Sequence, residues 1–149
     1  MLRRGFLFEY EIPDNWEEYR EGNQYVYHGP YNVELIISGS ILQGTGSAEE
    51  LETVKKRLIV DGIASMRTGA AHPDLVTIDE PTKINGFSEL DCWTMASKTA
   101  DGATLFFQGI FFAEFGTLLV TFECDNRPEA GELFQEFLRG VRKARGFAN

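Results

Sequence analysis

Side chains that carry chemistry are scarce in this chain. Its 149 residues include two histidines and two cysteines. Two cysteines are too few for a disulfide framework. Cys92 and Cys124 both fall inside apolar strand patterns. Two strands apart in one sheet, their backbones would be about 10 Å apart, beyond disulfide reach. They read as buried free thiols in a reducing compartment, which makes a cytoplasmic protein the expectation. His28 closes a strand before a Gly-Pro turn, and His72 precedes a proline in a loop. Neither sits in a triad-like motif, so no enzyme is expected. There is no CxxC, HxxxH, HExxH or clustered Asp loop, and no metal or cofactor is expected. The "GTGS" at 44–47 lacks both the dinucleotide glycine spacing and the Lys-Ser/Thr of a phosphate loop. Asp79–Glu80 and Glu89/Asp91 flank a hairpin and read as solvated turn charges rather than a catalytic carboxylate pair.

Positive charge is also short: 14 Lys and Arg face 23 Asp and Glu, a net charge of −9. That balance repels phosphate backbones, so nucleic acid is not an expected partner. It can steer a cationic partner. Long uninterrupted apolar runs are missing too. Residues 103–124, "ATLFFQGIFFAEFGTLLVTFEC", are broken by Gln108, Glu114 and two glycines. A span needs about 20 predominantly apolar residues, so membrane insertion is not expected. The start, "MLRRGFLFEYEIP", alternates with Phe6, Phe8, Tyr10 and Ile12 on one side, and reads as a strand rather than a signal peptide.

What is present is aromatic, β-branched and periodic. Within 103–124, "AEFG" supplies a turn, and 104–112 and 117–124 become antiparallel strands. The first is apolar on both faces, with Phe107 and Phe111 opposite Phe106, Ile110 and Phe112. Such a strand is covered on both faces or carries an apolar patch for a partner. Upstream, 12–16 turns, 17–24 is acidic and polar, 25–28 is a short strand, and 29–32 turns into a strand over 33–42. There Val33, Leu35, Ile37 and Ile41 oppose Glu34, Ile36, Ser38 and Ser40.

Ser47 and Glu50 form a capping box for a helix over about 48–68, ended by Pro73. Its stripe is Leu51, Val54, Leu58, Ile59, Ile63 and Met66, and Gly62 within it marks close packing on the sheet. Strands follow at 75–84, where Pro81 suggests an edge or a bulge, and at 87–98, joined through Asn85-Gly86. A last helix is expected over 128–144, with Arg139, Arg142, Lys143 and Arg145 favoured at its carboxyl end by the helix dipole. The order β-β-β-α-β-β-β-β-α in one domain gives an α+β fold.

Some apolar and aromatic side chains fall on nominally outer faces. Tyr25 and Tyr27 share a face of their strand, Ile36 lies beside Ser38, and Trp93 and Met95 oppose small core residues. Tyr, Trp and Met are enriched at protein interfaces. Cover by the second helix or a loop is the alternative.

"FLFEYEIPDNW" resembles the opening of PsbP-like proteins, a strand ending in IPxxW. The "VELIISGS" strand, the long helix, "INGFSELDCW", the paired long strands and the closing "ELFQEFLRGV" follow in that family's order over about residues 6–142. The resemblance implies a PsbP/Mog-type α/β/α sandwich with a six- or seven-stranded antiparallel sheet. It implies a non-catalytic role. The superfamily includes a photosystem subunit, a Ran-binding transport factor and small bacterial proteins, among them chaperones for type VI secretion effectors. The size and the "EIPDxW" start are most similar to these chaperones, which implies a homodimer holding an apolar effector segment on its sheet. Their gripping positions match Tyr25, Tyr27 and Ile36. The expectation is therefore a protein-binding module using Tyr25, Tyr27, Ile36, Ser38, Trp93 and Met95. The competing expectation is an immunity-type or regulatory inhibitor whose acidic surface blocks a basic partner.

Overall fold

A computed structural model of the chain describes residues 1–41, 48–70, 75–84, 90–114 and 116–144. The Ser47 cap, the 44–47 loop, the Leu51 side chain, His72, Pro73, the Asn85-Gly86 turn, Glu89 and Arg145 lie outside the described residues.

Seven strands form one antiparallel sheet: β3 (Glu17–Glu21), β4 (Gln24–His28), β5 (Glu34–Ile41), β6 (Leu75–Ile84), β7 (Asp91–Thr99), β8 (Thr104–Ala113) and β9 (Gly116–Asp125). Their spatial order is β3-β4-β5-β9-β8-β7-β6. A second sheet of three strands has the order β1-β2-β10, with β1 at Leu2–Gly5, β2 at Phe8–Glu11 and β10 at Arg142–Lys143. Two helices complete the chain, α1 (Ala48–Ala70) and α2 (Pro128–Arg139). The long strands and the first helix stand where periodicity put them, and the last helix begins where expected. Pro81 lies in the edge strand β6, whose register shifts between Thr77 and Asp79 and again before Thr82.

Three expectations are corrected. The opening segment is a hairpin rather than one strand, turning at Phe6 and Leu7 with φ of +54° and +69°. Neither residue favours that region. The turn is held from outside itself: the Phe6 ring meets Tyr25 edge-on at 5.9 Å, and the Ala144 amide donates to the Leu7 carbonyl at 3.0 Å. Second, the acidic stretch is a strand, β3, with all five residues exposed. Charge on an edge strand blocks pairing with other chains, so its composition hides its conformation. Third, the last helix stops at Arg139, where the Gly140 amide closes on the Phe137 carbonyl. Arg142 and Lys143 then pair with β2. Arg142 Nε donates to the buried Glu9 at 3.2 Å, and Lys143 Nζ to Glu114 at 2.8 Å. Ion pairs with Glu9 of β2 and with Glu114 in the turn after β8, more than the helix dipole, account for these two charges.

The sheet's inner face carries the main core. Leu35, Ile37, Val120 and Phe122 are fully buried there, under Phe8 and Tyr10 of the small sheet and Phe134 and Leu138 of α2. Phe107 stacks on Phe134 at 4.9 Å, and Phe122 meets Phe134 at 5.3 Å. The outer face carries a smaller core of Met66, Met95, Ile110 and Phe112 beneath α1. Strand β8 is thus covered on both faces, which accounts for its many phenylalanines. A Cβ at Gly62 would lie 3.0 Å from Phe112, so α1 packs closely there, as the sequence suggested.

The two helices dock unequally. Over twelve residues α2 buries Ala130, Phe134, Phe137 and Leu138. Among the described side chains of α1 only Met66 is fully buried, and Val54 and Val60 are exposed. Trp93 Nε1, Ser97 Oγ and Gln108 Oε1, all on the face that carries α1, are buried without a hydrogen-bond partner. Each such group costs about 1–3 kcal/mol. Amides of α1 are therefore expected to exchange with deuterium at least tenfold faster than those of α2, a difference that site-resolved exchange would measure.

Candidate functional site

The register divides the sequence-selected residues between the two faces. Tyr25 pairs with Ile37 and Tyr27 with Leu35, which puts both tyrosines on the inner face. Tyr27 is fully buried, and its hydroxyl meets that of Tyr10 at 3.0 Å. Burial pushes both hydroxyls to higher pKa. Tyr25 is half-buried between Phe6 and the Arg20 guanidinium, which sits 5.1 Å from its ring centre. Period-2 alternation separated these tyrosines from Val26, but it could not say which side faces the core. The neighbour of Ile36 on β4 is Val26.

Trp93 and Met95 do lie on the outer face, where α1 covers them. The cover comes from the first helix rather than the second. Asp91 anchors that helix: its carboxylate accepts from Lys55 at 2.9 Å, with Lys83 at 3.6 Å. The hydrogen bond from Lys55 holds the Asp91 carboxyl below its ordinary pKa. These contacts make Asp91 part of the helix anchor. His28 sits at the exposed end of β4, its Nε2 3.1 Å from Glu34 and its ring 5.0 Å from Tyr19.

Ile36 and Ser38 remain. Among the described elements helix α1 packs chiefly on β6, β7 and β8 and its cluster reaches Leu119 of β9, which leaves the outer face over β5, β4 and β3 away from the helix. Cross-strand pairing places Tyr19 beside Val26, Val26 beside Ile36, Ile36 beside Thr121 and Ser38 beside Leu119. Tyr19 is 47% exposed, while Ile36, Ser38, Leu119 and Thr121 are half-buried. Among the described residues the carboxylates on this half-face are Glu17, Glu21, Glu34 and Glu123, and the strand register places no Lys or Arg there. It is an apolar floor in an acidic frame. Leu119 and Tyr19 were missed by sequence reading. Leu119 was visible as the one apolar residue among Thr117, Thr121 and Glu123, whereas Tyr19 was concealed by the acidic run around it.

Among the described residues no group of three His, Cys, Asp or Glu side chains could hold a metal ion. No helix among them is long and apolar enough to cross a membrane. Both cysteines are free and buried, on strands separated by β8. Burial pushes the Cys92 thiol up to about 12 and the Cys124 thiol to about 11. A disulfide reagent at pH 8 is expected to label neither thiol in the native protein and both in denaturant, a contrast that absorbance would follow.

No family model and no curated protein matches the chain. Solved structures do. A protein of Bacteroides thetaiotaomicron VPI-5482 superposes with a TM-score of 0.58 at 12% identity, over 96% of this chain and 47% of its own. This chain therefore spans about half the length of that protein. The cyanobacterial PsbP, CyanoP, of Synechocystis sp. PCC 6803 superposes with a TM-score of 0.51 at 13% identity, over 93% of this chain and 87% of its own. At these identities the likeness is one of fold, and the chain has an α+β fold similar to that of PsbP, a mostly antiparallel sheet carrying two helices.

Proposed function

We propose that the protein is a non-catalytic binding module that holds an apolar, basic-flanked helical segment of a protein partner on the open half of its outer sheet face. The observation that carries this is the row of Val26, Ile36 and Ser38, running to Leu119 at the edge of the cluster beneath α1 and framed by Glu17, Glu21, Glu34 and Glu123. An amphipathic helix with Lys or Arg beside its apolar stripe complements both features. A cytoplasmic chaperone or adaptor for a secreted effector, of the kind serving type VI secretion, is the role this reading favours. The acidic frame supports a second reading, an inhibitor that blocks a basic partner by charge alone.

The substitution Ile36→Asp separates the two, because it removes apolar floor and adds a negative charge. Pull-downs with wild type and variant, at low and high salt, read the difference, and thermal melting confirms that the variant is folded. A partner retained at high salt and lost with Ile36→Asp supports the apolar grip. A partner released by salt and held as well or better by Ile36→Asp overturns it in favour of the inhibitor.

A further inference from the structure

We infer that a slot between the N-terminal segment and α2 binds a small substituted ammonium group. The slot has a volume of about 230 Å³, with walls from Ile12, Pro13, Trp16, Leu133 and Phe137. Drug-sized sites run from roughly 300 to 1,000 Å³, so this one suits a small head group. The walls are fixed before any ligand arrives. The Trp16 ring lies against the backbone of Gly29, where an added Cβ would fall 2.5 Å from Cε2 and 2.7 Å from Cδ2. The Trp16 amide donates to the Pro13 carbonyl at 3.2 Å, which closes the turn that carries the ring. From the other side, Phe137 is 95% buried and packs on Tyr10 with ring centres 5.9 Å apart.

Charge selects the sign of the ligand. Glu11 and Glu136 line the slot, and both are exposed. Met1 also lines the slot, and its amine lies 3.6 Å from Glu11 and 3.0 Å from Asp14. Two lining carboxylates thus face one ammonium, which is itself paired with Glu11 and with Asp14 outside the lining, and the excess of negative charge disfavours an anionic ligand. An indole face attracts a cation more strongly than any other side-chain ring. An apolar, aromatic-walled slot with a carboxylate lining fits a methylated or alkylated ammonium: the methyl groups replace water at the walls, and the charge faces Trp16 and Glu136. The slot is separate from the open sheet face, so this inference stands or falls independently of the proposed partner binding.

The test is a nuclear magnetic resonance titration of the full chain with choline and with 3,3-dimethyl-1-butanol, its uncharged isostere. Choline is expected to shift the Trp16 indole saturably and to bind roughly tenfold tighter than the alcohol. Glu136→Gln, at an exposed position, should weaken choline several-fold and leave the alcohol unchanged. Trp16→Leu keeps an apolar wall and should cost choline roughly tenfold. Should Trp16→Leu fail to fold, the isostere and the Glu136→Gln arm still decide the matter. Equal binding of choline and alcohol, or no saturable shift with choline, overturns the inference. Where choline binds, sedimentation with phosphatidylcholine vesicles tells a lipid head group from a free solute: co-sedimentation supports the former, and its absence the latter.

Discussion

Phe122→Ala is expected to lower stability by about 3–5 kcal/mol, which for a chain of this length is a fall in melting temperature of about 10–15 °C. The side chain is fully buried at the centre of the inner core. Its ring meets Phe134 of α2 at 5.3 Å and Phe107 of the neighbouring strand at 6.3 Å. Truncation removes an aromatic pair on each side and leaves a cavity that strands locked in register cannot close. The same change at Leu119, half-buried at the edge of the outer cluster, should cost less, about 1–2 kcal/mol, since that side chain is already partly exposed. Denaturant melts of the two variants would measure the contrast. Similar losses at both sites would mean that the outer half-face is as well covered as the inner one.

Gly116→Ala is expected to be about as damaging, at about 3–5 kcal/mol, through a different cause. Gly116 opens β9 opposite Ile41 with a φ of +154°. A Cβ there would sit 2.1 Å from the backbone oxygen of Ser40. A backbone atom in a ladder cannot swing aside as a side chain can, so β5 and β9 must separate at that end. Gly22→Ala is the control. Its φ is +61° but no atom lies within 4 Å of the added carbon, so only the left-handed strain of about 1 kcal/mol applies. Circular dichroism melts would resolve the two.

Much of the fold was legible because its strands are long and half-buried. Leu118, Val120, Phe122 and Cys124 alternate cleanly, and all four are buried on one face. What escaped were elements whose reasons lie elsewhere in the chain. The Phe6–Leu7 turn lacks Gly and Asn, and depends on Tyr25 and on the amide of Ala144. Strand β10 consists of two charged residues whose pairing with β2 is fixed by Glu9, more than 130 positions away. Strand β3 has no apolar period because it is an exposed edge.

The site was half legible. Ile36 was singled out as the apolar residue of a polar face, and the register places it with Ser38 on the outer face, both half-buried. Tyr25 and Tyr27 were grouped with it, and the structure places them on the opposite face. Alternation identifies which residues share a side. Which side meets the core depends on the small sheet laid over β4, and nothing local to β4 encodes that sheet.

The proposed role of the outer half-face is to hold an apolar helix flanked by positive charge. Its most direct test is an amide chemical-shift titration with two amphipathic peptides, one built of Leu and Lys and the other of Leu and Glu. The account predicts that the Leu–Lys peptide moves the amides of Tyr19, Val26, Ile36, Ser38 and Leu119 and leaves those of Tyr27 and Phe122 in place. It further predicts that the Leu–Glu peptide binds at least tenfold more weakly and that Ile36→Asp removes the response. Shifts centred elsewhere, equal binding of the two peptides, or stronger Leu–Lys binding by Ile36→Asp would contradict it.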